Sequence, residues 1–90
     1  MKCYEYIIKG RVQGVGFRYF TYNKALLYGI KGYVKNLTDG SVEVLAIAED
    51  TVISEFIKVL KKGPSLSKVK NIIANEIGNC PHYNDFKIKY

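Results

Sequence analysis

Apolar residues at Tyr4, Tyr6, Ile8 and Val12 alternate with Glu5, Lys9 and Arg11, the period of two that gives a strand unlike faces. A strand over 4–12 is predicted, running into a stretch punctuated by Gly10, Gly14 and Gly16. Phe17 to Tyr28 then proceeds without Gly or Pro and stops at Gly29, a residue suited to a helix C-cap. This spacing predicts a first helix, its apolar stripe interrupted by Lys24. Ile30 to Leu37 and Ser41 to Ala48 are rich in Val, Ile, Leu and Tyr, and Asp39-Gly40 between them tolerates the positive φ of a tight turn, so an antiparallel hairpin is expected. Ile53, Phe56, Ile57 and Leu60 fall at i, i+3, i+4 and i+7, which predicts a second helix with Asp50 or Thr51 as N-cap and Gly63-Pro64 as the stop. Val69 to Ile77 reads as a fourth strand. Phe86, Ile88 and Tyr90, alternating with Lys87 and Lys89, read as a short fifth.

The order β-α-β-β-α-β plus one strand is that of a split βαβ arrangement. The predicted fold class is therefore α+β: a ferredoxin-like sandwich, an antiparallel sheet of four to five strands with two helices on one face. Ninety residues, 48% of them apolar, supply one core but not two, so residues 1–90 are expected to form a single domain. No apolar run approaches the roughly 18 residues that span a bilayer, and Met1-Lys2 leads straight into a patterned segment, which predicts a cytoplasmic protein with no membrane partner. Lys and Arg total 14 against 8 Asp and Glu, and the net charge of +6 favours anionic partners such as phosphates, nucleic acid or lipid headgroups. Cys3 and Cys80 are too few for a disulfide scaffold and suit a reducing cytosol as two buried thiols; a single bridge between them is geometrically open, because they flank strands expected to be antiparallel neighbours.

The segment Lys9-Gly10-Arg11-Val12-Gln13-Gly14-Val15-Gly16-Phe17-Arg18 joins strand to helix through three glycines. Successive amides in such a turn, with the positive end of the following helix, favour a phosphate, and Arg18 adds a fixed charge with paired donors. A tight connection that needs glycine only for backbone freedom is the other reading. A Walker loop would require Gly-Lys-Ser/Thr where Phe17-Arg18 follow Gly16, and a dinucleotide fingerprint would require glycine at Tyr19, so nucleotide binding is not expected. Arg18 opposes the helix dipole by a few tenths to about 1 kcal/mol. Such a local violation marks either function or a salt bridge to a nearby carboxylate. Asn36, just ahead of the hairpin turn, is either a turn former or a neutral amide that holds a water. His82 in Cys80-Pro81-His82 lacks a second ligand pair, so no metal site is expected. Asp39, Glu43, Glu49, Asp50 and Glu55 read as turn, cap and surface residues, leaving no carrier for a paired-carboxylate mechanism.

The segment Gly10 to Arg18, together with Gly32-Tyr33-Val34-Lys35-Asn36-Leu37-Thr38-Asp39-Gly40-Ser41-Val42-Glu43, resembles the two-part signature of the acylphosphatase family. The likeness extends to Gly63-Pro64-Ser65 and covers essentially the whole chain. It implies a hydrolase that splits acyl phosphates into a carboxylate and inorganic phosphate, with no cofactor or metal. By position, it implies that the amides of Gly14, Val15, Gly16, Phe17 and Arg18 bind phosphate with the Arg18 side chain, and that Asn36 orients the attacking water. Family members often have Trp where Tyr33 stands, and Ala and Arg within the stretch held here by Leu66-Ser67-Lys68; neither departure touches Arg18 or Asn36. A monomer acting on a small molecule is expected. RNA-recognition domains share the fold class and suit a basic chain, but Lys31-Gly32-Tyr33 matches only the opening of their aromatic motif and Ser41 to Ala48 has no aromatic, so nucleic acid is not the expected partner.

Overall fold

The computed structural model describes residues 1–90 as β1 (Lys2–Arg11), α1 (Phe17–Tyr28), β2 (Lys31–Asn36), β3 (Val42–Ala48), α2 (Asp50–Lys62), β4 (Lys68–Glu76) and β5 (Phe86–Lys89). The strand order is β4-β1-β3-β2-β5. β3 is antiparallel to both β1 and β2, so those two run parallel with β3 inserted between them, which is the split βαβ unit of a ferredoxin-like α+β sandwich. The sheet is mixed, not wholly antiparallel as expected: β5 runs parallel to β2, with Gly32 opposite Phe86 and Val34 opposite Ile88. The cause is topological. β4 is antiparallel to β1 and ends where β2 begins, the 77–85 connection crosses to the far edge at that end, and β5 then rises in the direction of β2.

Alternate positions of the central strands direct Tyr6, Ile8, Val34, Val42 and Val44 toward the helices, where they share one core with Phe17 and Ala25 of α1 and Ile53, Phe56 and Leu60 of α2. α1 lies over β2 and β5, and α2 over β3 and β4. Phe56 is fully buried and meets Tyr28 and Phe86 edge-on, with ring centroids 6.4 and 6.5 Å away. Each such pair adds about 0.5–1.5 kcal/mol beyond area burial.

Several boundaries differ from expectation. The N-cap of α2 is Glu49, not Asp50 or Thr51, and its side chain makes no capping bond. Asp50 instead opens the helix, where its carboxylate still meets the positive end of the dipole. Val12 leaves β1 and is buried in the connection to α1. Cys3 is a buried thiol as expected, but Cys80 is exposed, because it falls in the 77–85 connection beyond the end of β4. No helix is long and apolar enough to cross a membrane.

Gly32 crosses beside β3 with φ 136°, and a Cβ there would collide with the Leu45 carbonyl oxygen. Gly32→Ala combines backbone strain with a clash that only a strand shift relieves, and is expected to lower the unfolding free energy by about 3 kcal/mol. Urea titration checks this as a fall in midpoint at unchanged slope.

Candidate active site

Because β1 and β2 are parallel, Arg11 and Asn36 finish at the same end of the sheet; α1 starts there and β5 finishes there. Between β1 and α1 the chain turns through Gly14 at φ 73° and Gly16 at φ 79°. Nothing stands within 4 Å of where a Cβ would sit on either, so the demand for glycine is conformational and an L side chain there costs about 1 kcal/mol in backbone strain. Gly16 is the N-cap of α1 and no side chain caps the helix. The Phe20 amide makes the first helical bond, to the Gly16 carbonyl at 3.0 Å. The amides of Phe17, Arg18 and Tyr19 are thus left without an intrahelical acceptor, at the end where the helix dipole is positive.

A cleft of about 190 Å³ opens at this point, and Gly14, Gly16, Phe17, Arg18 and Asn36 all line it. Of the site residues expected from the sequence, only Val15 is not part of this lining; it packs, half-buried, against the core. Sequence reasoning missed Ile88 and Tyr90, which form a further wall. Only the parallel placement of β5 beside β2 brings them there, and nothing in their own spacing signals it.

Arg18 takes part in none of the ion pairs, so the salt-bridge explanation of its position fails. Its guanidinium instead lies 4.8 Å from the centroid of the Tyr90 ring. Asn36 does not act as a turn former. The turn is built by Asp39, whose Oδ1 accepts from the Ser41 amide at 2.9 Å and from the Ser41 hydroxyl, and by the Leu37 amide donating to the Ser41 carbonyl at 2.8 Å. The Asn36 Oδ1 is buried without any hydrogen-bond partner, a state shared only with the Thr21 hydroxyl. Thr21 belongs to the core side of α1 and does not line the cleft, whereas Asn36 does. An unmade bond of this kind costs about 1–3 kcal/mol, and Asn36 is the one residue with such a deficit that lines the cleft.

Gln13 lies within the glycine motif, where the sequence assigns it no role. Its Nε2 donates to the carbonyls of Leu37 at 2.7 Å and Ser41 at 2.8 Å, tying the glycine loop to the hairpin that carries Asn36. A polar side chain amid Val12, Gly14 and Val15 is the one sequence signal that pointed to it.

Hydrogen bonds from the Ser41 hydroxyl and amide, with the Lys9 ammonium 3.4 Å away, hold the Asp39 carboxyl down to about 2. Its folded pKa is thus below the value of about 3.9 for an unfolded Asp. The stabilisation is present above that value and is lost as the pH falls through it toward 2. Urea midpoints measured from about pH 5 down to about pH 2 are expected to fall less steeply in Asp39→Asn than in the wild type.

On the helix-free face, the Tyr33 hydroxyl donates to Glu43 Oε1 at 2.6 Å, the Lys89 ammonium lies 4.1 Å from the Tyr33 ring centroid, and Tyr83 packs on it at 5.9 Å. The one aromatic of the RNA-type motif is thus already engaged. His82 is exposed and bonded to Asn84 at 3.0 Å, away from the cleft.

The sequence profile of the acylphosphatase family matches residues 4–88. The chain is 42% identical over 86 residues to the acylphosphatase of Pasteurella multocida, with 96% of each chain covered. It superimposes on the crystal structure of acylphosphatase from Bacillus subtilis with a TM-score of 0.96, 40% identity and full coverage of both chains. It also matches a part of full-length HypF, with a TM-score of 0.88 and 35% identity over 99% of this chain but only 12% of that one. Agreement in sequence and in fold over almost every residue leads to one conclusion: the chain belongs to the acylphosphatase family, hydrolases of acyl phosphates.

Proposed function

We propose that the cleft at the α1 N-terminus is where an acyl phosphate is cleaved, with the amides of Gly14, Val15, Gly16, Phe17 and Arg18 and the Arg18 guanidinium holding the phosphoryl oxygens and Asn36 holding the attacking water. The observation that carries this reading is the buried, unpartnered Asn36 Oδ1 in the same cleft as an arginine with no carboxylate partner. An oxygen acceptor suits a water's hydrogen, while a guanidinium and free amides suit phosphate oxygens. Each group meets the chemistry it lacks inside the protein.

The reaction asks little of a general acid or base. The water oxygen bonds to phosphorus as the bond from phosphorus to the acyl oxygen breaks, and the electron pair leaves on a carboxylate. That leaving group has a conjugate acid of pKa about 4, so it departs without a proton. A phosphoryl oxygen takes the proton lost by the water, which leaves a carboxylate and inorganic phosphate. What remains for the protein is to fix the phosphoryl group and spread its charge over the amides and Arg18, and to hold the water in line. Nothing in this scheme calls for a metal or cofactor. The same reading takes residues 1–90 as one domain working as a cytoplasmic monomer on a small molecule, checked by size-exclusion chromatography and fractionation.

The test is hydrolysis of benzoyl phosphate in the presence of a chelator, with inorganic phosphate as competitive inhibitor. Turnover with phosphate inhibition that disappears in Arg18→Ala supports the site; inhibition that survives the substitution places phosphate elsewhere.

A further inference from the structure

Cys3 stands on β1 between positions that face the helices, so its side chain belongs to the opposite, helix-free face of the sheet. It is nevertheless only 2% exposed, and it lies outside the core shared with the helices. The 77–85 connection leaves β4 directly alongside it. The register Tyr4 opposite Glu76 puts Ile77 beside Cys3, and the Ile77 amide donates to the Cys3 carbonyl at 2.8 Å. Three residues further on stands Cys80, exposed to solvent and near enough to influence the Cys3 thiol. One thiol is open to reagents and the other is buried.

We propose that Cys80 and Cys3 are a reactive pair for low-molecular-weight disulfides, Cys80 as the entry thiol and Cys3 as the resolving thiol, which together close an intramolecular bridge. In the first step the Cys80 thiolate attacks one sulfur of the small disulfide RSSR; a Cys80–SR bond forms, the S–S bond of the reagent breaks, and one RSH leaves after taking up a proton. In the second step Cys3 gives up its proton to solvent and attacks the Cys80 sulfur, expelling the second RSH. The two thiols are oxidised, the reagent is reduced to two thiols, and no other oxidant is used. Burial above all, with Cys80 alongside, pushes the Cys3 thiol up to about 12. Resolution is therefore the slower step, and the mixed disulfide at Cys80 accumulates before the bridge forms.

The bridge would join residues 3 and 80 and thereby close most of the chain into one loop, the arrangement in which a crosslink restricts the unfolded chain most. It would also pin the 77–85 connection, which delivers β5 and with it the Ile88 and Tyr90 wall of the cleft.

The folded protein, fully reduced, is incubated with oxidised glutathione and followed by intact mass and by thermal unfolding. The wild type is expected to show first one glutathione adduct and then its loss, ending two hydrogens lighter than the starting protein, with the unfolding midpoint raised by roughly 10–20 °C over the reduced form. Cys3→Ser is expected to stop at a stable adduct, and Cys80→Ser to remain unmodified while folded. The proposal is overturned if the wild type keeps its adduct, if it links into dimers, if Cys80→Ser is modified at Cys3 in the folded state, or if the bridged protein melts no higher than the reduced one.

Discussion

Arg18→Ala is expected to reduce kcat/KM for benzoyl phosphate by about 10⁴-fold, roughly 5 kcal/mol of transition-state stabilisation, while the protein stays folded. The size follows from its position. The guanidinium is the only side-chain cation in the cleft, it has no internal carboxylate to neutralise it, and it acts at the positive end of α1 on a group whose negative charge is being redistributed. Stability is expected to change little, because two small terms oppose each other. Removing a cation from the first helical turn relieves up to about 1 kcal/mol, and losing its contact with the Tyr90 ring forfeits about 0.5–1 kcal/mol. Arg18→Lys keeps the charge but loses the planar fork, so it is expected to recover only part of the activity. Near-normal turnover of Arg18→Ala at saturating substrate, with an unchanged circular dichroism spectrum, would remove Arg18 from the mechanism.

The clearest elements of this fold, α2 and β1, were legible because each carries one dominant period. The i, i+3, i+4, i+7 pattern of α2 buries Ile53, Phe56 and Leu60, and the alternation in β1 and β3 separates a helix-facing set from its opposite. What did not show was the direction of β5. Phe86 and Ile88 announce a strand with one buried face, but a strand's period is the same whichever way its neighbour runs. The direction depends on how far the 77–85 connection travels, and nothing in Gly78-Asn79-Cys80-Pro81 encodes a crossing to the far edge. The N-cap of α2 was misplaced for a similar reason. Asp50 and Thr51 have the chemistry of caps, yet the chain enters the helix one residue earlier, and Asp50 serves through the dipole instead.

At the site, the glycine loop was readable because Gly14 and Gly16 both sit in left-handed conformations that few other residues adopt. The bland and functional readings of Arg18 and Asn36 were not separable from sequence, since a salt bridge or a turn bond uses the same atoms as a substrate. The structure shows that no ion pair holds Arg18 and that Asp39, not Asn36, builds the turn. Gln13 illustrates the opposite limit. Its two bonds reach carbonyls more than twenty positions away, and long-range partners of a backbone carbonyl leave no trace in side-chain pattern.

Asn36→Ala is expected to lower kcat for benzoyl phosphate by about 10³-fold with little change in inhibition by inorganic phosphate, because the amide is assigned to the water and not to the phosphoryl group. The same substitution is expected to leave the protein as stable as the wild type or more stable. It deletes a buried carbonyl oxygen that has no partner, a group costing about 1–3 kcal/mol, and the packing lost with a short side chain at the rim of a cleft offsets only part of that gain. Activity and stability then move in opposite directions, which is the signature of a polar group kept for function at the expense of the fold. Asn36→Asp adds a distinct test: a carboxylate in the phosphate cleft repels the substrate, so KM and the phosphate inhibition constant should both rise as well. Steady-state kinetics beside urea unfolding on the two variants decides the matter. A less stable Asn36→Ala with undiminished turnover would return the residue to a structural role, and the water would then have to be held by some other group in the cleft.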